Sequence, residues 1–131
     1  MSTKITLISP PDIYQNNNYS LLLIDIDEKE QESISSWLGR NITKESLNVY
    51  YYQGEPNVPW LLHALSCADS KYINLNNTSA VSSYLAGYIL SKPSVYYTTK
   101  DTNLALLYNH INLNRVNNCE EFLERVFSGK N

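Results

Sequence analysis

The feature that most constrains this chain is an alternation of short aliphatic runs with segments of helical period. The clearest run is "SLLLIDI" at residues 20–26. A strand with one solvated face alternates apolar and polar residues, whereas Leu21, Leu22, Leu23 and Ile24 follow one another without a break. Such continuity suits a strand covered on both sides, the condition of a parallel sheet between two helical layers. Asp25 and Asp27 end the run, and "EKEQESISSWL" at 28–38 reads as a helix. Its acids lie in the first turn, where the macrodipole favours them, with Asp27 or Glu28 placed to start it. Ile34, Trp37 and Leu38 form its apolar stripe, and Gly39 is the expected C-cap.

The alternation continues. "KITLIS" (4–9) is a strand stopped by Pro10 and Pro11, and the Asn-rich "DIYQNNNY" is a loop. "LNVYYYQ" (47–53) is a strand ended by Gly54. Asn57 caps the helix "VPWLLHALSCA", with Pro59 in its first turn and Val58, Leu61, Leu62, Leu65 and Ala68 on one face. "KYINLN" (71–76) is strand, and Thr78 or Ser79 caps "AVSSYLAGYILS". "SVYYTT" (94–99) is strand, "TNLALLYNHI" a short helix, "NRVNN" (114–118) a last strand, and "CEEFLERVF" a helix ending near Gly129. Strands separated by helices imply right-handed crossovers. The expected fold is a single α/β domain, a three-layer sandwich of flavodoxin or Rossmann type with a mostly parallel sheet of five or six strands. Ligands in such sheets sit at the carboxyl ends of the strands.

Composition narrows the function classes. Of 131 residues, 43 % are hydrophobic and 18 % charged, enough for one ordinary core. The formal net charge is −3 with acids and bases interspersed, so no basic stripe tracks a nucleic-acid backbone and no nucleic-acid partner is expected. The apolar runs are too short to span a bilayer, and "MSTKITLISPP" lacks the apolar segment of a signal peptide. Cys67 and Cys119 have no metal-ligand spacing, which suits a reduced cytoplasmic compartment, the host's if the protein is viral. Neither a P-loop nor G-x-G-x-x-G occurs, and no cofactor is expected. Abundant Asn and Tyr with scarce Ala, Gly and Arg fit an AT-rich coding sequence.

From Leu22, "LLIDIDEKEQESISSWL", "NVYYYQGEPNVPWLLHALSCAD" and "PSVYYTTKD" resemble response-regulator receiver domains. In that family acids after the first strand hold magnesium, an Asp ending the central strand accepts a phosphoryl group, and a Thr or Ser and a Lys-Pro end later strands. The resemblance implies Asp25 and Asp27 as the acids and Thr98 or Thr99 as the hydroxyl. The central strand, however, offers Asn74, Asn76 and Asn77, and Arg115 stands where the Lys belongs. An amide oxygen is a poor nucleophile and adds no charge for a cation. A pseudo-receiver that binds a protein partner is the form this resemblance takes.

"KITLISPP" and "CADSKYINLNNTSAVSSYLAGYILSKPSVYYTTKD" resemble nucleoside 2-deoxyribosyltransferase-like proteins, whose nucleophile is a helical Glu upstream of Lys-Pro. Counting back from Lys92 and Pro93 puts Ser83 there, so an enzyme of this class would need displaced catalytic groups. The layout "ITLISPPD…YSLLLID…VYYY…WLL…AD…IN" is also similar to small proteins of T-even-like tailed phages.

Among single residues, His63 reads as a helix-surface histidine and Cys67 as a small buried residue. Tyr50 and Tyr52 share one side of their strand and Tyr51 takes the other, while Tyr84 and Tyr88 stack four apart on a helix. Tyrosine and tryptophan are enriched at interfaces. Candidate interface residues are therefore Trp37, Tyr51, Trp60, Tyr84 and Tyr88; candidate ligand-binding residues at the strand ends are Asp25, Asp27, Asn76 and Thr98. The functional expectation is a non-enzymatic interaction or assembly module, of phage origin, acting through a protein partner or self-association.

Overall fold

The computed structural model describes residues 4–8, 17–42, 46–54, 57–76 and 78–128. Along them run β1 (Lys4–Ile8), β2 (Tyr19–Ile24), α1 (Glu28–Asn41), β3 (Ser46–Tyr52), α2 (Val58–Cys67), β4 (Ser70–Asn74), α3 (Ala80–Leu90), β5 (Val95–Thr98), α4 (Thr102–Tyr108) and α5 (Cys119–Phe127). The loop expected before β2, Ser9 within the first strand, Asn77 and Gly129 lie wholly or largely outside the described residues.

The strands form one all-parallel sheet in the order β1-β3-β2-β4-β5. Without β1 this is the doubly wound flavodoxin order, and β1 lies along the outer edge of β3 with Leu7 opposite Val49 and Ile8 opposite Tyr50. The expected α/β three-layer sandwich is therefore the observed fold. Each face of the sheet has its own core. Leu21, Leu23, Val49 and Tyr72 face α1 and α5, meeting Ile34, Leu38, Phe122 and Phe127. Leu22, Ile24, Tyr50, Tyr52, Ile73 and Tyr97 face the opposite way, meeting Trp60, Leu61, Leu65, Ala86 and Ile89 of α2 and α3. Burial on both faces accounts for the uninterrupted aliphatic run in β2.

Local details depart from the sequence reading in four places. Helix α1 runs past Gly39 to Asn41, and its C-cap is Ile42, whose N–H donates to the Leu38 carbonyl. Asn41 Nδ2 donates to the Trp37 carbonyl at 2.9 Å and Arg40 Nε to that of Ser36 at 3.3 Å, so the last turn is satisfied without a glycine cap. Helix α2 is rotated relative to its aliphatic stripe: Trp60, Leu61, Ala64 and Leu65 are buried, and Leu62 is exposed. Helix α4 stops at Tyr108, short of the expected end at Ile111. Finally, the segment 114–118 is not a strand: its ladder pairing with the sheet is the single bridge between Arg115 and Tyr97. Tyr97 N–H donates to the Asn114 carbonyl and Val116 N–H to that of Tyr97. Asn117 then turns toward Glu121, and Asn118 caps α5 before a second rung can form.

Candidate functional site

Two regions compete: the carboxyl end of the sheet, where folds of this class place ligands, and the outer surface of one helical layer.

The chain leaves β2 through α1 on one face, and leaves the neighbouring β4 through α3 on the other. The strand ends part there, leaving a cleft of about 440 Å³ lined by Asp25, Ile26, Asp27, Glu28, Gln53, Thr78 and Ser79. Asp25, 5 % exposed, adopts a left-handed backbone conformation with φ of 59°. Its N–H donates to the Tyr52 carbonyl at 2.8 Å, and its Oδ2 accepts from the Ser79 N–H at 3.0 Å and from Ser79 Oγ at 3.4 Å. Gly54, which follows Gln53, has φ of +80°, and a Cβ there would lie 2.8 Å from that of Ser79. Both its conformation and its contact demand glycine.

Asp27 is the N-cap of α1. Its Oδ1 accepts from the Glu30 N–H at 2.7 Å, and Glu30 Oε1 accepts from the Asp27 N–H at 3.4 Å, completing a capping box. Glu30 reaches further: Oε2 accepts from the Tyr72 hydroxyl at 3.1 Å, and Oε1 accepts from Asn74 Nδ2. Burial, followed by the charge of Glu30, drives the Tyr72 phenol far above its ordinary pKa. The same two causes, with Glu120 behind them, push the Cys119 thiol up to about 11. Asn74 Oδ1 accepts from the Asn76 N–H at 2.9 Å, and Asn76 Oδ1 accepts from the Lys100 N–H at 2.6 Å.

The four ligand-binding candidates are therefore dispersed. Asp25 and Asp27 share the cleft; Asn76 holds the loop after β5; Thr98 is buried, with Oγ1 donating to the Asn117 carbonyl at 3.2 Å. Arg115 Nη2 donates to the Thr99 carbonyl at 3.1 Å. The polar side chains at this end stitch loops together. Among the described residues, no three His, Cys, Asp or Glu side chains are grouped so as to hold a metal ion. Glu30 was missed as the centre of this network. The D-x-x-E spacing from Asp27 signals the capping box, but nothing local signals the reach to β4.

The aromatic candidates also divide. Trp60 is 4 % exposed and lies in the core, its ring 6.0 Å from that of Tyr50 and 6.2 Å from that of Tyr52. Trp37 is half-buried against Phe127, with ring centroids 5.9 Å apart. Tyr51 is half-buried on that same face, where burial raises its pKa and a hydrogen bond to Ser35 partly offsets the rise. On the opposite side Tyr84 and Tyr88 point outward from α3, Tyr84 at 90 % exposure, and Lys92 Nζ sits 4.4 Å over the Tyr88 ring. The five do not form one patch. His63 is exposed as expected, and Cys67, expected to be buried, is exposed as well.

The surface that emerges instead includes the candidates Tyr84 and Tyr88, and its other residues are not singled out from the sequence. Helices α2, α3 and α4 cover one face and contain no Asp, Glu, Lys or Arg; α1 and α5 cover the other and contain nine. On the uncharged layer Leu62, Tyr84, Tyr88, Leu106 and Leu107 are exposed, as are Ile111 and Leu113 just after α4. Single exposed apolar residues are ordinary, but this many on and beside three helices without charge are not. No helix among the described residues is long and apolar enough to cross a membrane. No family model matches the chain, and no curated protein matches it.

Proposed function

We propose that this protein is a non-enzymatic interaction module whose docking face is the uncharged helical layer of α2, α3 and α4. The observation that carries this reading is the division of charge. Both helical layers are solvated on their outer sides, yet only one has charged residues within its helices. A surface meant only for water gains solubility from charge, whereas the core of an interface is depleted of it and enriched in tyrosine. Exposed leucines and exposed tyrosines on one helical layer are what such a core requires. The carboxyl end of the sheet supports the same reading: its acids cap helices and hold loops. A pseudo-receiver is the variant that the β3-β2-β4-β5 order supports. Phage origin belongs to the proposal and rests on the composition of the chain.

The test is affinity purification from cells that make the protein, comparing wild type with Tyr84→Lys/Leu106→Lys and with Glu124→Lys on α5. The bound protein, foreign or a second copy, is expected to be lost with the double variant and kept with Glu124→Lys. The reverse pattern would place docking on the charged layer and overturn the proposal.

A further inference from the structure

We infer that the occupant of this face is a second copy of the chain, docked through α3, α4 and the turn after α4 in a two-fold symmetric dimer; the inference rests on the docking face proposed above. Charge is the first argument. Each copy carries a formal net charge of −3, so two copies repel unless their charged surfaces are turned apart. The nine charges of α1 and α5 lie behind the sheet from α3 and α4. Helix and sheet layers are spaced by about 10 Å each, so roughly 20 Å separates those charges from the docking face. The Debye length in physiological salt is about 8 Å. A copy approaching through the uncharged face is thus screened from its partner's charged layer, and by symmetry so is the partner.

Selectivity is the second argument. A charged patch chooses a partner of opposite sign, whereas the one charge seated on this face is Lys92, held over the Tyr88 ring. Between Ala80 and Asn114 the only formal charges are Lys92, Lys100 and Asp101, all outside α3 and α4. A fitting surface must be largely uncharged and apolar. The chain itself provides one in every other copy, and a two-fold interface needs only self-complementarity.

Area is the third. Tyr84, Tyr88, Leu106, Leu107, Ile111 and Leu113 are the exposed large apolar side chains of this part of the layer, with Leu106 at 70 % and Leu113 at 78 % exposure. At an order of 100 Å² for each buried side chain they provide roughly 600 Å². The asparagines and serines between them raise this toward the about 800 Å² per partner of a standard interface. Asn112 holds the turn in place: its Nδ2 donates to the Leu90 carbonyl at 3.1 Å and to the Val95 carbonyl at 2.9 Å. Leu113 is therefore presented beside the end of α3 from an anchored position.

The experiment combines sedimentation of the purified full chain with site-specific photo-crosslinking. Wild type should sediment as a dimer of 15.0 kDa chains. Leu106→Lys should raise the dissociation constant at least about 100-fold, because symmetry buries the substitution twice. Glu124→Lys should leave it unchanged, and circular dichroism would confirm that both variants fold. A photo-crosslinker replacing Leu106, in cells that make the protein, should yield an adduct composed of this chain alone. An adduct containing a different protein would overturn self-association and leave the docking face standing. A monomer at every concentration with no adduct from position 106 would overturn both.

Discussion

Replacing Asn74 by aspartate tests the polar network at the end of β4, the position where a receiver-like site carries its acid. Asn74 Nδ2 donates to Glu30 Oε1, and both groups are shielded by the ends of α1 and β4. Asn74→Asp deletes a hydrogen bond to a charged group, a loss of about 1.5–3 kcal/mol. It also sets a second carboxylate against Glu30, a repulsion of roughly 4 kcal/mol at about 4 Å and an effective dielectric of about 20. Protonation caps the total. An acid with an ordinary pKa near 3.9 binds a proton at about pH 7 for about 4 kcal/mol, at about 1.36 kcal/mol per unit. Once protonated it can donate to Glu30 and restore the bond. The loss at about pH 7 should therefore be about 2–4 kcal/mol.

The pH dependence follows with a definite sign. The introduced carboxyl has a folded-state pKa raised above its unfolded value, so the folded form holds the extra proton and the variant loses stability as pH rises. At about pH 5 the cap falls to about 1.5 kcal/mol. Urea unfolding followed by circular dichroism at both pH values should show the midpoint of the variant approaching that of wild type on acidification, with the slope unchanged. Adding Glu30→Gln should restore most of the loss at about pH 7, since an amide can donate to the new carboxylate. Equal midpoints for the variant and wild type at about pH 7, or no recovery in the double variant, would refute the network.

Two further outcomes follow from buried polar groups. The Tyr97 hydroxyl is buried without a hydrogen-bond partner among the described residues, so Tyr97→Phe should stabilise the fold by about 1 kcal/mol, read as a higher urea midpoint. A lower midpoint would mean that the hydroxyl has a partner. Cys119 is buried with its thiol pushed up to about 11, whereas Cys67 is exposed, so a thiol reagent at about pH 8 should modify one cysteine in the native protein and two in urea. Cys119, Tyr51, Tyr72 and Tyr97 all have pKa values raised by burial, so the folded state holds protons that the unfolded state releases. Stability from these groups is complete below the unfolded thiol pKa and declines as pH rises from about 9. Lys71, whose pKa burial lowers, acts in the opposite sense over its own window, and alkaline denaturation that begins well below about pH 9 would contradict this assignment.

The sequence alone determined the architecture, because hydrophobic period and turn chemistry are local properties. Four aliphatic residues in a row at Leu21 to Ile24 specify a strand buried on both faces, whichever elements cover it. Asn57 and Ser79 announce helix starts through their own side chains, each accepting from a backbone N–H three residues on. Glu30 was half legible: its capping box with Asp27 is written in the spacing, and its bonds to Tyr72 and Asn74 span more than forty residues.

Tertiary structure decided which way each helix faces and what its surface adjoins. Aliphatic spacing in α2 put Leu62 in the shared apolar face and left Trp60 for the surface. Tyr52, projecting from β3, stacks on the indole and Tyr50 meets it edge-on, so Trp60 lies inward and Leu62 is turned out. Cys67 is exposed on that same helix. The absence of charge from α2, α3 and α4 could be counted along the chain, but the three segments are separated by strands. Only the crossover from β3 to β4 and the right-handed turns that follow bring them onto one face. The charged helices α1 and α5, the first and last among the described residues, meet on the other. A docking face is a sum over neighbours in space, and the order of strands in the sheet decides who those neighbours are.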